Sequence, residues 1–160
     1  MTTKQQEFDE LFSMFHDFEI ITLTYIDNQI IMTIQIPWGE LWDDLNYYIK
    51  LELSGCDYVH CDYTEPSNTF ENLKKRPAER TYIEKYTEDT TIISEMGLEI
   101  QSHQLFKPNK YQFICNSSKD YANGDLTFTA VDYKIFNKEG VLIDLNQMRD
   151  WCNEWWSSLN

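Results

Sequence analysis

From Phe18 the chain alternates apolar and polar residues every second position. Ile21, Leu23 and Tyr25 are interleaved with Thr22 and Thr24, and Ile30, Met32, Ile34 and Ile36 with Thr33 and Gln35. Successive side chains of a strand point to opposite faces, so this period of two gathers the apolar set on one side of an extended chain. A helix would scatter the same residues around its axis. Asp27-Asn28 is the turn between the two runs, and the whole stretch predicts a β-hairpin with one buried face. Pro37 ends the second strand, because proline cannot donate to the ladder.

The same period returns further on. Ile49, Leu51 and Leu53 alternate with Tyr48, Lys50 and Glu52; Ser54-Gly55 turns the chain; Val59, Cys61 and Tyr63 then alternate with Tyr58, His60 and Asp62. With the first hairpin these predict a four-stranded antiparallel meander, wet on one face. Trp38 to Leu45 reads as a turn or a single helical turn between strands. Later strands are predicted around Met96, Leu98 and Ile100, and around Tyr111, Phe113 and Cys115, separated by Pro108-Asn109. Asn123-Gly124 reads as the clearest turn dipeptide of the chain. Beyond it Leu126, Phe128 and Ala130 face one way and Val131, Tyr133 and Ile135 the other, which predicts a bulge or bend near Ala130 to Asp132. Asn137-Lys138-Glu139-Gly140 turns the chain into Val141-Leu142-Ile143.

Two segments carry helical spacing. Phe8, Leu11, Phe12 and Phe15, with Met14 beside them, predict a short amphipathic helix over residues 4–15. At the other end Asp144 is the expected N-cap, with Gln147 three residues on, and Leu145, Met148, Cys152, Trp155 and Leu159 form the apolar stripe. Trp151 flanks that stripe and Trp156 lies off it. Residues 64–91 differ: 64–68 is loop-like, a short helix is expected near Thr69 to Lys75 capped by Asn68 or Thr69, and a strand at about Thr81 to Tyr86. Lys74, Lys75, Arg76, Arg80 and Lys85 place five of the thirteen positive charges there. The expectation is one α+β domain spanning 1–160. Its curved, mainly antiparallel sheet of about eight short strands, a sandwich or open barrel, carries a helix at each end, and 64–91 is a polar, locally basic excursion.

Charge narrows the partners. Thirteen Lys and Arg against 27 Asp and Glu give a net charge of −14, so most of the surface repels phosphate and anionic lipid. Nucleic acid and membrane are therefore not the expected partners. The opening residues contain no apolar h-region, and no run approaches the ~18 apolar residues of a spanning helix, so the expected compartment is cytoplasmic. Cys56, Cys61, Cys115 and Cys152 are too sparse for a disulfide scaffold and are expected as buried free thiols.

Catalytic constellations are not apparent. Cys56, His60, Cys61 and Asp62 invite a zinc reading, but on a strand His60 and Cys61 point to opposite faces, and Cys56 and His60 lie about 13 Å apart. His16, His60 and His103 stand in no nucleophile-elbow, protease or phosphatase context. Asp43-Asp44, Asp57, Asp62 and Glu65 lack calcium-loop spacing, and the five glycines are scattered turn residues with no phosphate-cradling loop. The expectation is no catalytic residue, no metal and no cofactor. Trp155 belongs in the core. Trp156 lies off the stripe, and Trp38 and Trp42 sit among Glu40, Asp43 and Asp44; these six residues are the candidates for binding a basic protein, since aromatics beside carboxylates suit such a partner.

Phe15-His16-Asp17-Phe18-Glu19-Ile20-Ile21-Thr22-Leu23, followed by a hairpin and Ile49-x-Leu51-x-Leu53-x-Gly55, resembles the opening of a group of small bacterial β-rich proteins that includes the immunity protein 50 family and related uncharacterised families. The resemblance covers about residues 14–63. It implies a protein that neutralises a bacterial toxin by binding rather than by catalysis. The residues themselves give His16 and Asp17 a structural role, in which Asp17 accepts from backbone N–H groups or from His16 at the helix-to-strand corner. The expected function is a non-catalytic, acidic protein-binding module of the immunity or inhibitor type directed at a basic toxin. The alternative is a β-barrel or sandwich whose inward aromatics line a small-ligand cavity.

Overall fold

The computed structural model describes residues 2–36, 47–119, 121 and 123–158. It is an α+β fold built on one antiparallel sheet of ten strands among the described residues. Helix α1 (Thr3–Ser13) starts at a capping box, in which Thr2 accepts from the Gln5 N–H and the Gln5 side chain accepts from the Thr2 N–H. Strands β1 (Glu19–Ile26) and β2 (Gln29–Gln35) form the predicted hairpin. Asp27 and Asn28 both adopt positive φ in its turn. Strand β3 (Tyr48–Ser54) pairs with β2 throughout, and the inward faces of β2 and β3 are the predicted ones.

Next come β4 (Val59–Pro66), the short helix α2 (Phe70–Leu73) capped by Thr69, and β5 (Tyr82–Thr87), close to the expected positions. Helix α3 (Thr90–Glu95) leads into the hairpin of β6 (Leu98–Lys107) and β7 (Lys110–Ser117). Strands β8 (Asn123–Thr129), β9 (Asp132–Phe136) and β10 (Leu142–Ile143) precede α4 (Leu145–Ser158). The cap of α4 is as expected: Gln147 N–H donates to Asp144 and Asp144 N–H to the Gln147 side chain, each at 2.8 Å.

The strand order is β10-β9-β3-β2-β1-β6-β7-β8-β4-β5. Consecutive β8 and β9 stand six positions apart in it, as do β3 and β4. Across a flat sheet six steps of ~4.8 Å come to about 29 Å, whereas the three Cα steps from Thr129 to Asp132 reach about 11 Å at most. The sheet must therefore roll until its two halves face one another. The two crossovers meet at the seam: Val131 N–H donates to Ser54 C=O at 2.8 Å, and Thr129 N–H to Tyr58 C=O at 3.4 Å. Gly55 sits in that contact with φ +67°, and a Cβ there would stand 2.7 Å from Val131 Cγ2.

Besides that seam, the halves join where β1 meets β6, through Glu19 with Glu99 and Ile20 with Leu98. Beyond Ile20 the strands part and α3 takes the vacated side of β1. Ser94 Oγ accepts from the Leu23 N–H at 2.9 Å and stands 3.1 Å from its carbonyl. Helix α1 fills the space inside the roll. Phe12 lies at the centre, its ring 4.8 to 6.0 Å from those of Phe8, Phe15, Tyr111, Phe113 and Phe128. The interior that a ligand-binding barrel would keep open is thus occupied by aromatic side chains. Asp9 to His103 at 2.7 Å, Lys4 to Asp132 at 3.1 Å and Glu10 to Arg149 tie α1 to β6, β9 and α4.

Four sequence expectations are corrected, and one element was unforeseen. The four-strand meander stops at three, because Gly55 to Tyr58 carries the chain across the seam and β4 pairs with β5 and β8. Asn123-Gly124 is no turn: both lie inside β8, opposite Asn116 and Cys115. A Cβ on Gly124 would come 2.9 Å from Leu98 Cδ2 and 3.1 Å from Cys61 Sγ, so packing, not a turn, excludes a side chain. Ile21 does not face inward. A bulge between Ile20 and Thr22 buries Ile20 instead and leaves Ile21 37% exposed. Residues 64–66 are strand rather than loop, with Pro66 closing β4. Helix α3, finally, was not expected at all. The bend foreseen near Ala130 is present, as the break between β8 and β9.

Candidate functional site

The tryptophan-bearing end of α4 meets the start of β3. Ile36 N–H donates to Tyr47 C=O at 3.0 Å, so the β2–β3 connection is closed at its base by described residues. The Tyr47 ring lies on Trp151, centroids 5.0 Å apart and planes 13° from parallel. Lys138, from the β9–β10 turn, stands 5.4 Å from the same Tyr47 centroid. These residues line a cleft of about 350 Å³ together with Asn137, Glu139 and Gln147. A smaller recess between Tyr47, Trp151, Glu154 and Trp155 continues it along α4.

Along α4, Met148, Cys152 and Trp155 are buried as the stripe predicts. Trp156 is 40% exposed and meets Trp155 edge to face at 4.6 Å. Asp150 and Glu154 are exposed on the same helix. An exposed indole supported by a buried one has the composition of an interface anchor. The candidates Trp38, Glu40, Trp42, Asp43 and Asp44 lie outside the described residues. Sequence reasoning missed Tyr47 and its stacking with Trp151; the Tyr47-Tyr48 doublet at the strand start was the available signal.

The helix-to-strand corner uses His16 and Asp17 differently from expectation. Asp17 adopts φ +69°, a conformation that Asp tolerates better than most residues, and its own N–H donates to Ile100 C=O at 2.8 Å. His16 Nδ1–H donates to Gln101 C=O at 2.7 Å, and its Nε2 stands 3.6 Å from the Asp17 carboxylate. Both residues thus fasten the corner to β6.

The remaining chemistry-bearing residues are held apart. All four thiols are buried. Burial pushes Cys56 up to about 11, Cys61 and Cys152 up to about 12, and Cys115 well above the ordinary thiol value, so the reactive thiolate is suppressed. Among the described residues no group of three or more His, Cys, Asp or Glu is placed to hold a metal ion. His60 packs between the rings of Tyr58 and Tyr86, and Cys61 lies against Met96 Sδ at 3.9 Å. Asp62 of β4 stands directly opposite Asp125 of β8. Burial, then the Asp62 charge, raises the Asp125 carboxyl above its ordinary value. Among the described residues no helix is long and apolar enough to cross a membrane.

A scan against protein-family models and searches of curated proteins and of solved structures found nothing that matches this chain.

Proposed function

We propose that this chain is an acidic protein-binding module that neutralises a basic partner, of the kind its opening residues resemble: an immunity or inhibitor protein acting in the cytoplasm. The observation that carries the reading is the stack of Trp151 on Tyr47, with exposed Trp156 packed on Trp155 further along the same helix. Aromatic anchors with a polar rim are the usual energetic centre of a protein interface. The net charge of −14 supplies long-range attraction toward a cationic protein and repulsion from nucleic acid. Packing of the interior with the rings around Phe12 leaves binding to the outer surface. Trp38, Glu40, Trp42, Asp43 and Asp44, which lie outside the described residues, stay candidates for the contact on their composition alone.

The test is co-expression of this chain with each basic protein that a neighbouring gene encodes. The reading expects restored growth, a stable complex, and loss of protection in Trp156→Ala with the fold retained. A neighbouring toxin that forms no complex and still arrests growth contradicts it.

A further inference from the structure

The two ends of the sheet are guarded unequally. Strand β10 is two residues long, which leaves little edge to template another strand. Strand β5 is six residues long, contains no proline, runs in unbroken register with β4, and is exposed from Ile83 to Tyr86. Ser67 N–H donates to Thr81 C=O at 2.9 Å, and Pro66, which has no N–H, pairs with Tyr82. Bonded and non-bonded pairs alternate in an antiparallel ladder, so Ile83, Lys85 and Thr87 bond to β4. Tyr82, Glu84 and Tyr86 therefore turn their N–H and C=O groups outward.

Side chains along this edge sort by face. Tyr82, Glu84 and Tyr86 share the outer face with Asp62 and Asp125, the carboxylates opposed across β4 and β8. The Tyr86 hydroxyl donates to Glu88 at 2.8 Å. On the inner face Ile83 is 44% exposed, and Lys85 is held by Glu65 at 2.5 Å. The Arg80 guanidinium is likewise engaged, donating to the carbonyls of Lys75 and Leu73. The edge thus offers unpaired backbone groups, an acidic row on one face and an apolar residue on the other.

We infer that β5 takes an added antiparallel strand from a protein partner, an extended segment alternating Lys or Arg with an apolar residue. Its cations lie over Glu84, Asp62 and Glu88, its apolar side chains meet Ile83, and the outward groups of Tyr82, Glu84 and Tyr86 complete the ladder. A second copy of this chain fits the edge poorly. Two-fold pairing centred on Glu84 opposes that carboxylate to its own copy, and like charges directly opposite are destabilising. The inference rests on the proposed function only for the sign of the partner's charge.

The test uses the full chain and a fluorescein-labelled octapeptide alternating Lys and Val, with two controls: Glu in place of every Lys, and Pro in place of the two central Val. Anisotropy titrations should give the Lys–Val peptide an affinity at least about tenfold above both controls. Glu84→Pro removes an outward donor and no internal hydrogen bond, so binding should fall about tenfold or more while the melting temperature stays within a few degrees. Should that variant not fold, Glu84→Lys reverses the facing charge without touching the backbone and should weaken the Lys–Val peptide comparably. Trp156→Ala should leave peptide binding unchanged, which separates this edge from the tryptophan corner. No binding of the Lys–Val peptide, equal binding of the Pro control, or a homodimer dissolved by Glu84→Pro overturns the inference.

Discussion

Gly124 and Tyr111 show how single residues are set by partners far away in sequence. Gly124 lies where Leu98 and Cys61 close over β8, and Gly124→Ala is expected to cost about 1–3 kcal/mol by overpacking, read from urea unfolding. An Asn-Gly pair looks like a turn because local sequence carries the preference of glycine for turns and nothing of the two strands flanking β8. Tyr111 is buried in the aromatic cluster with its hydroxyl unpartnered and its phenol pushed up to about 12 by burial. Tyr111→Phe should therefore be neutral or stabilising by up to about 1 kcal/mol, the reverse of a typical core change. Asp125 gives a pH signature. Its folded value lies above the ordinary 3.8, so the folded state prefers the proton. The resulting penalty is absent below the unfolded value, appears as pH rises through it, and is complete above the folded value. Asp125→Asn should accordingly raise the melting temperature at about pH 7 and leave it unchanged at about pH 3. Equal effects at both pH values would contradict this. The alternating residues of β2 and β3 were legible because their period alone assigns a face. The Ile20 to Thr22 bulge was not, since either isoleucine fits the inward position until pairing is known.

Elements defined by their own spacing and caps were readable, and those defined by the roll of the sheet were not. Helices α1 and α4 declare themselves through apolar stripes, and α4 also through its cap of Asp144 with Gln147. Thr69 at the head of α2 declares itself similarly. Helix α3 hides although Asp89 caps it, because Thr90-Thr91-Ile92-Ile93 is a β-branched run that favours strand, while the burial of Ile93 and the contact of Ser94 with the backbone of Leu23 hold the helix. The crossover from β3 to β4 hides too, since Ser54-Gly55 fits a hairpin turn equally well. Gly55→Ala tests that crossover, combining an unfavourable φ with a 2.7 Å approach to Val131, and should cost about 2 kcal/mol or more. Strand β4 would have paired with β3 in a simple meander, where alanine at a loosened turn costs far less. Helix α4 buries Met148, Cys152 and Trp155, and Trp155→Ala should cost about 3–5 kcal/mol. Deleting residues 145–160 should abolish the cooperative thermal transition; an unchanged transition would refute an integral role for the helix.

At the scale of the whole molecule, α1 and its aromatic side chains fill the inside of the rolled sheet, so the proposed binding falls to the outer surface, where charge would set which partners approach. Thirteen positive against 27 negative residues act together at distances beyond any single pair. The candidate corner was half legible. Trp156 could be picked out as off the apolar stripe, but the stack of Tyr47 on Trp151 requires two segments about a hundred residues apart to meet, which no local pattern encodes. Under the proposed function, electrostatic attraction to a basic partner would accelerate association and be screened by salt, while contacts of the tryptophan corner would govern dissociation. The most direct measurement is the association rate of this chain with a basic protein encoded by a neighbouring gene, followed by stopped-flow fluorescence between about 20 and 500 mM salt. The rate should fall about tenfold or more across that range, with Trp156→Ala changing mainly the dissociation rate. A complex whose association rate is independent of salt, or no complex at all, would contradict an acidic binding module.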